Sequence, residues 1–259
     1  MKTALVTGAG ARLGRAMALY LGARGYDVAV HYNTSSKGAD DVVAALNAAG
    51  QRGVAVQADL LNEDETQSLF SRAAEALGGP ITCLINNASI FEYDTITTAT
   101  AESWDRHIGS NLRAPFILTQ AMARQGLKPV ADHNGESMAA GLVVNMLDQR
   151  MRKLTPEFMT YTIAKMGLWA MTQTTAQALA PAIRVNAIGP GPTLQGAKQT
   201  AEHFEKQRAR VILERGANPD DITAALGYFL DAPSVTGQLL CTDGGQHLGW
   251  KTPDVLGLE

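Results

Sequence analysis

The stretch Leu5-Val6-Thr7-Gly8-Ala9-Gly10-Ala11-Arg12-Leu13-Gly14 decides how this chain folds. An apolar run breaks at a glycine-rich turn that opens a helix-length segment, which reads as strand, tight turn and helix start. Glycine lets a backbone approach a pyrophosphate closely, and a helix amino terminus offers it free N–H groups and positive dipole. Alone, such a turn can be a plain βα connection; after the first strand of an alternating chain it points to a dinucleotide. The alternation does continue. Residues 2–7, 27–32, 54–58, 81–86, 141–146, 183–188 and 238–242 read as strands, and 12–24, 37–49, 63–77, 102–124, 157–180, 197–214 and 219–231 as helices. Asn62 with Glu65, Thr155-Pro156, and Asn218-Pro219 with Asp221 mark helix starts. The expected fold is α/β: a doubly wound, parallel, seven-stranded sheet in one domain spanning 1–259.

Composition fits that fold and narrows the partners. A chain of 259 residues, 46% hydrophobic and 18% charged, can bury one substantial core. Net charge −3 offers no electrostatic footprint for nucleic acid or an anionic membrane, which leaves a small-molecule substrate. The apolar run Thr3 to Thr7 is too short for a signal-peptide core, and no stretch reaches membrane-spanning length, so a soluble, cytoplasmic protein is expected. Cys83 and Cys241 sit in strands and read as buried thiols, and the five histidines show no metal-ligand spacing.

Ligands in such sheets lie beyond the carboxyl ends of the strands. After the second strand, His31-Tyr32-Asn33-Thr34-Ser35-Ser36 carries no acid before Asp40. An acid there would hold the ribose of NAD and repel a 2′-phosphate, so His31, Asn33, Thr34 and Ser35 favour NADPH/NADP; the alternative is a plain polar loop. Asp59 and Leu60 follow the third strand, where a carboxylate can bond adenine, and Asn86-Asn87-Ala88-Ser89 ends the fourth. Tyr161 and Lys165 lie four apart on an expected helix and share a face. A cation beside the phenol is expected to lower its pKa from ~10 and make it a proton donor near neutrality.

Thr7-Gly8 with Gly14, Asn86-Asn87-Ala88, Asn111, Tyr161 to Lys165 and Pro190-Gly191 occur in the order and approximate spacing of the short-chain dehydrogenase/reductase family, so the chain resembles that Rossmann-like family from residue 2 to about 249. Within it the chain looks most like the pteridine reductases and bacterial dihydromonapterin reductases. Arg12 stands in place of the family's middle glycine, Ser89 replaces the glycine of Asn-Asn-Ala-Gly, and Phe91 follows by two. Asp148 stands where carbonyl reductases keep a serine. Arg184 to Gly191 and Asp243 to His247 also resemble these enzymes, whereas Ala11 stands where a basic residue is often found.

The resemblance implies NADPH-dependent reduction of a pteridine C=N bond, with Asp148, Tyr161, Lys165 and Asn111 catalytic. Cofactor contacts would come from Gly8, Arg12, Leu13, His31, Asn33, Thr34, Ser35, Asp59, Leu60, Asn87, Ala88, Ser89, Lys165, Pro190 and Gly191. Arg12, Ser89, Phe91, Asp148 and Tyr161 would meet the substrate. Phe91 is either a stacking surface for the pterin or a core side chain; Arg12 is either an anion ligand or a helix-start residue. An ionised Asp148 about 4 Å from a growing oxyanion would cost of order 4 kcal/mol at an effective dielectric near 20, which argues against ketone chemistry unless the acid is protonated. Reduction of a 3-oxoacyl or other carbonyl substrate is the alternative enzyme, and a non-catalytic NADP(H) sensor the alternative outside enzymology. Residues 192–216 would form a substrate flap whose Lys206, Arg208 and Arg210 are a solvated face or a grip on an anionic tail. The loop 126–137 reads as a surface insertion without chemistry, and the tail from His247, with Trp250, as a frayed end or a cover for a neighbouring site. The helix carrying Ile163, Met166, Leu168, Trp169 and Met171 is apolar nearly all round, and the family packs two long helices across an interface, so a homotetramer is expected.

Overall fold

A computed structural model describes residues 2–196, 199–252 and 255. Its main sheet runs in the order β3-β2-β1-β4-β7-β8-β9 with every neighbour parallel. The strands are β1 (Thr3–Val6), β2 (Asp27–Tyr32), β3 (Gly53–Gln57), β4 (Cys83–Asn86), β7 (Gly141–Met146), β8 (Ile183–Pro190) and β9 (Leu239–Thr242). A separate antiparallel pair, β5 (Val130–Ala131) with β6 (Ser137–Met138), stands apart from it. Helices α1 (Arg12–Ala23), α2 (Ser36–Ala48) and α8 (Pro219–Asp231) cover one face; α3 (Glu63–Leu77), α5 (Ala114–Arg124) and α6 (Met159–Ala178) cover the other.

The two-residue strand period explains the two cores. In β1, Ala4 and Val6 pack with α1 residues Met17 and Leu21, while Leu5 joins Leu69 and Leu77 of α3 on the opposite face. With both faces buried, the strands can be apolar throughout. Strand order reverses between β1 and β4, which opens the crevice where their following turns meet.

Several boundaries differ from the sequence expectation. The expected helix 102–124 is α4 (Ala101–Ile108) and α5 joined by a π-helical turn, Gly109–Arg113, that carries Asn111. The insertion 126–137 holds the β5–β6 hairpin, tied by Asp132 Oδ1 accepting from the Asn134 and Glu136 amides. Helix α6 starts at Met159, not at the Thr155-Pro156 signal, because Phe158 takes a left-handed backbone (φ 55°) just before it. The flap helix is α7 (Ala201–Ala209); residues 197 and 198 of the expected helix lie outside the described residues, as do 253, 254 and 256–259 of the tail. Asn62 does cap α3, accepting from the amides of Asp64 (3.0 Å) and Glu65 (3.3 Å). No helix among the described residues is long and apolar enough to cross a membrane.

Candidate active site

The turn after β1 and the turn after β4 are locked together. Thr7 Oγ1 accepts from the amides of Asn87 (2.9 Å) and Ala88 (3.0 Å), and Asn87 Nδ2 returns a bond to Thr7 O (2.8 Å). Only glycine fits at Gly14, where a Cβ would stand 2.2 Å from Gly8 O. Gly8 has φ +63°, and its amide donates to His31 Nδ1 (3.0 Å). The ring's other nitrogen meets Ala58 O at 3.0 Å. His31, expected among the cofactor contacts, is therefore corrected to a buried support beneath the glycine turn; burial holds its pKa below the ordinary value.

These turns form one wall of a cavity of about 560 Å³. Gly8, Arg12, Leu13, Asn87, Ala88, Ser89, Phe91, Asp148, Pro190 and Gly191 all line it. Asn33, Thr34 and Ser35 are exposed beyond β2, outside that lining. Leu60 lines a second cavity against α4, and Asp59 Oδ1 accepts from the Leu61 amide (3.0 Å).

Arg12 begins α1 with a left-handed backbone (φ 52°), a conformation that costs a residue bearing a Cβ roughly 1–2 kcal/mol. Its guanidinium reaches across the cavity mouth, donating to Gln195 O (2.9 Å) and Leu194 O (3.2 Å) of the flap. The flap's two ends are stapled by Arg208, which donates to Pro192 O, Gly216 O, Ala217 O and Asn218 Oδ1. Arg208 is thus neither a solvated charge nor a free grip.

Tyr161 does not line the cavity; it is buried and donates from its hydroxyl to Oδ2 of Asp148 (3.2 Å), which does. Asp148 is half-buried, and its Oδ1 accepts from the Arg150 amide (2.7 Å), capping the short 3₁₀ turn Gln149–Arg152. Desolvation raises the Asp148 carboxyl above its ordinary pKa despite the Arg150 bond and charge. Burial, then the Asp148 charge, push Tyr161 well above 10. The expectation that Lys165 would lower the phenol's pKa is corrected by this burial. Lys165 is itself buried, donates to Met146 O (2.7 Å), and is brought down to about 8 by desolvation, which Asp148 opposes. Its Nζ lies 5.7 Å from the Tyr161 ring centroid.

Asn111, on the π-helical turn, accepts from Ser89 Oγ (2.6 Å) and donates to Ile90 O (2.9 Å), so it joins α4–α5 to the turn after β4. Phe91 is exposed and stacked on Phe158 with centroids 4.2 Å apart and planes 7° apart; its edge contact to Tyr161 is 4.7 Å. Arg150 sits over the Phe158 ring at 4.9 Å.

Sequence reasoning missed the residues that hold Tyr161 in place. Buried Asp94 accepts from the Thr160 amide (3.2 Å) and from Thr160 Oγ1 (2.5 Å), and His107 Nδ1 meets the same hydroxyl at 2.6 Å. His107 Nε2 accepts from the Glu92 amide (3.1 Å), which assigns the proton to Nδ1. No spacing rule links positions 94, 107 and 160; the polar Thr160 beside the tyrosine was the only sign. Among the described residues no cluster of His, Cys, Asp and Glu could hold a metal ion.

The sequence model of a family described as enoyl-(acyl carrier protein) reductase matches residues 8–247. The chain belongs to the short-chain dehydrogenase/reductase family. Among its relatives, 3beta-hydroxysteroid dehydrogenase 1 of Eggerthella lenta is 34% identical over 95% of this chain and 94% of its own. The 3-oxoacyl-[acyl-carrier-protein] reductase of Synechocystis sp. is 31% identical over 94% and 96%. Among solved structures, FolM alternative dihydrofolate reductase 1 from Brucella suis, in complex with NADP, superposes with a TM-score of 0.90 at 41% identity, covering 98% of each chain. The NADP-bound angucycline C-6 ketoreductase LanV gives 0.85 at 29%, covering 96% of each. This family member therefore has the fold expected of a short-chain oxidoreductase, with an acid, Asp148, lining its cavity.

Proposed function

We propose that this short-chain oxidoreductase is an NADPH-dependent reductase of a dihydropterin C=N bond, of the dihydromonapterin, dihydrobiopterin or dihydrofolate class. The observation that carries the reading is Asp148: a half-buried carboxyl with a raised pKa, 3.2 Å from the Tyr161 hydroxyl, facing the cavity. A protonated Asp148 supplies a proton to a ring nitrogen, whereas an ionised Asp148 repels a ketone oxyanion. The 41% identity to a protein named alternative dihydrofolate reductase supports the same class.

The residues present fit NADPH. Gly8 and Gly14 line the cavity and let the turn close on the start of α1, which opens without a side-chain cap or an acid in its first turn and so leaves its amides for a pyrophosphate. Asn33, Thr34 and Ser35 offer exposed hydroxyl and amide donors to a 2′-phosphate, with Asp59 and Leu60 toward adenine. Leu13, Asn87, Ala88, Pro190 and Gly191, which line the cavity, would hold the rest of the dinucleotide, and Lys165 would hold its ribose. When bound, NADPH supplies the hydride.

The chain's own residues then manage the proton. Tyr161 donates its hydroxyl to Asp148 Oδ2 and keeps that proton, so an Asp148 that protonates a pterin nitrogen is left as a carboxylate held by the phenol and takes its next proton from water in the cavity. Lys165 offsets the charge left on the pair, and Asn111 steadies Ser89 at the rim. Phe91 presents an aromatic face to a flat ring, and Arg12 and Ser89 its polar edge. The enzyme is soluble and cytoplasmic in this reading, and assembles as a homotetramer.

The test is NADPH oxidation with dihydromonapterin, dihydrobiopterin, dihydrofolate and a panel of small ketones, run beside NADH. The reading expects pterin turnover with NADPH; turnover of ketones alone overturns it. Carbonyl reduction is the second reading, favoured by the 31% identity to a 3-oxoacyl reductase.

A further inference from the structure

Beside the catalytic cavity lies a second hollow of about 320 Å³ whose lining brings together Lys153, His203, Lys206 and Arg210. Three of these are permanent cations, collected on one hollow by a chain whose net charge is −3, and no aspartate or glutamate is among the described residues that line it. Gln207 and Gln246 line both cavities, so the two hollows share a wall at the flap helix α7.

The basic groups keep donor capacity to spare. Among the described residues, the side chains of Arg210 and His203 have no hydrogen-bond or ion-pair partner. Lys153 gives one bond, to Gly249 O at 3.3 Å, and Lys206 pairs with exposed Glu202 at 2.6 Å. An ammonium has three donors, and an exposed i,i+4 pair exchanges easily for a better anion. Arg208, on the same helix, is consumed by backbone carbonyls and serves as a contrast. One wall of the hollow is apolar: Val211 and half-exposed Ile212 flank the cations.

We propose that this hollow is an annex for the tail of the substrate, and that the tail is an aryl spacer followed by several carboxylates. The apolar wall takes the aryl group and the cations take the carboxylates. This rests on the pterin reading above, and names the substrate within it as one whose ring carries an anionic aryl-oligoglutamyl side chain.

The experiment titrates NADP-loaded enzyme with p-aminobenzoyl-oligoglutamate and, separately, with tripolyphosphate, in wild type and in Lys206→Gln/Arg210→Gln. The annex expects the aryl tail to bind wild type and to weaken roughly tenfold or more in the double variant and on adding salt. The same variant should leave kcat/KM for dihydrobiopterin unchanged, while oligoglutamyl dihydrofolate loses its advantage over the monoglutamyl form. Equal or absent tail binding in both proteins overturns the annex. Binding of tripolyphosphate without the aryl tail overturns the carboxylate assignment in favour of a phosphate. Failure to reduce any dihydropterin sinks the parent reading instead, and the tail titration still decides the annex.

Discussion

In the proposed reaction single side chains carry the chemistry, and Asp148 carries most of it. Replacing it by serine removes the proton source and installs a neutral donor for an oxyanion. Asp148→Ser is expected to lower pterin kcat by about 10²–10⁴ and to raise turnover of small ketones, both read from NADPH oxidation. Lys165 is expected to set the alkaline limit. Its pKa of about 8 means that the charge facing Tyr161 is lost as pH rises through that value, so kcat/KM for NADPH should fall above about pH 8, and Lys165→Gln should abolish both the limb and most of the activity. Arg12 pays a conformational cost at φ 52° that only an anion or the flap justifies. Arg12→Gly relieves roughly 1 kcal/mol of strain and forfeits two bonds to Leu194 and Gln195, so thermal stability should change little. The KM for NADPH should rise, and flap cleavage by a protease should quicken; unchanged values of both would leave Arg12 a helix-start residue.

Elements place those side chains, and the start of α6 shows how. Tyr161 stands on the first turn of this helix, whose entry is fixed by Asp94 from the segment before α4 and by His107 within α4. Asp94→Ala leaves Thr160 and Ser103 without their carboxylate partner and should cost about 2–3 kcal/mol in urea unfolding, with a larger fall in kcat than in NADPH affinity. This is also where sequence reading stops. Seven parallel strands and the glycine turn were legible, because a two-residue strand period and a bare-backbone turn are written in consecutive residues. Tyr161 with Lys165 was legible for the same reason, at helical spacing. The π-helical turn at Gly109–Arg113 was not, since a shifted hydrogen-bond register leaves no periodic mark. The direction of the Tyr161 pKa was missed because it depends on burial, which no local spacing reports. The β5–β6 hairpin could have been read from Asn134-Gly135.

At the scale of the whole molecule, assembly and acid stability can be predicted. Helices α4, α5 and α6 leave Trp104, Phe116 and Ile163 between 41% and 50% exposed, an apolar face suited to a neighbouring copy. Light scattering is expected to give a four-chain species, and Phe116→Glu with Ile163→Glu a smaller one; a wild-type monomer would contradict the homotetramer. Acid stability follows from two buried histidines. His31 Nδ1 and His107 Nε2 each accept from a backbone amide, so a proton added to either ring would set N–H against N–H. Burial is the first cause lowering both pKa values in the folded state. The unfolded chain therefore takes up protons first as pH falls below ~6.5. Stability is intact above that pH and declines below it, by up to ~1.4 kcal/mol per pH unit for each ring, until the lowered folded pKa is passed. Urea unfolding between pH 7 and pH 5 should show this slope, and His31→Gln and His107→Gln should each remove one proton from it. A slope that survives both substitutions would assign the acid sensitivity elsewhere. Because His31 stands directly behind the Gly8 amide, weakening of NADPH binding should accompany the early part of the decline.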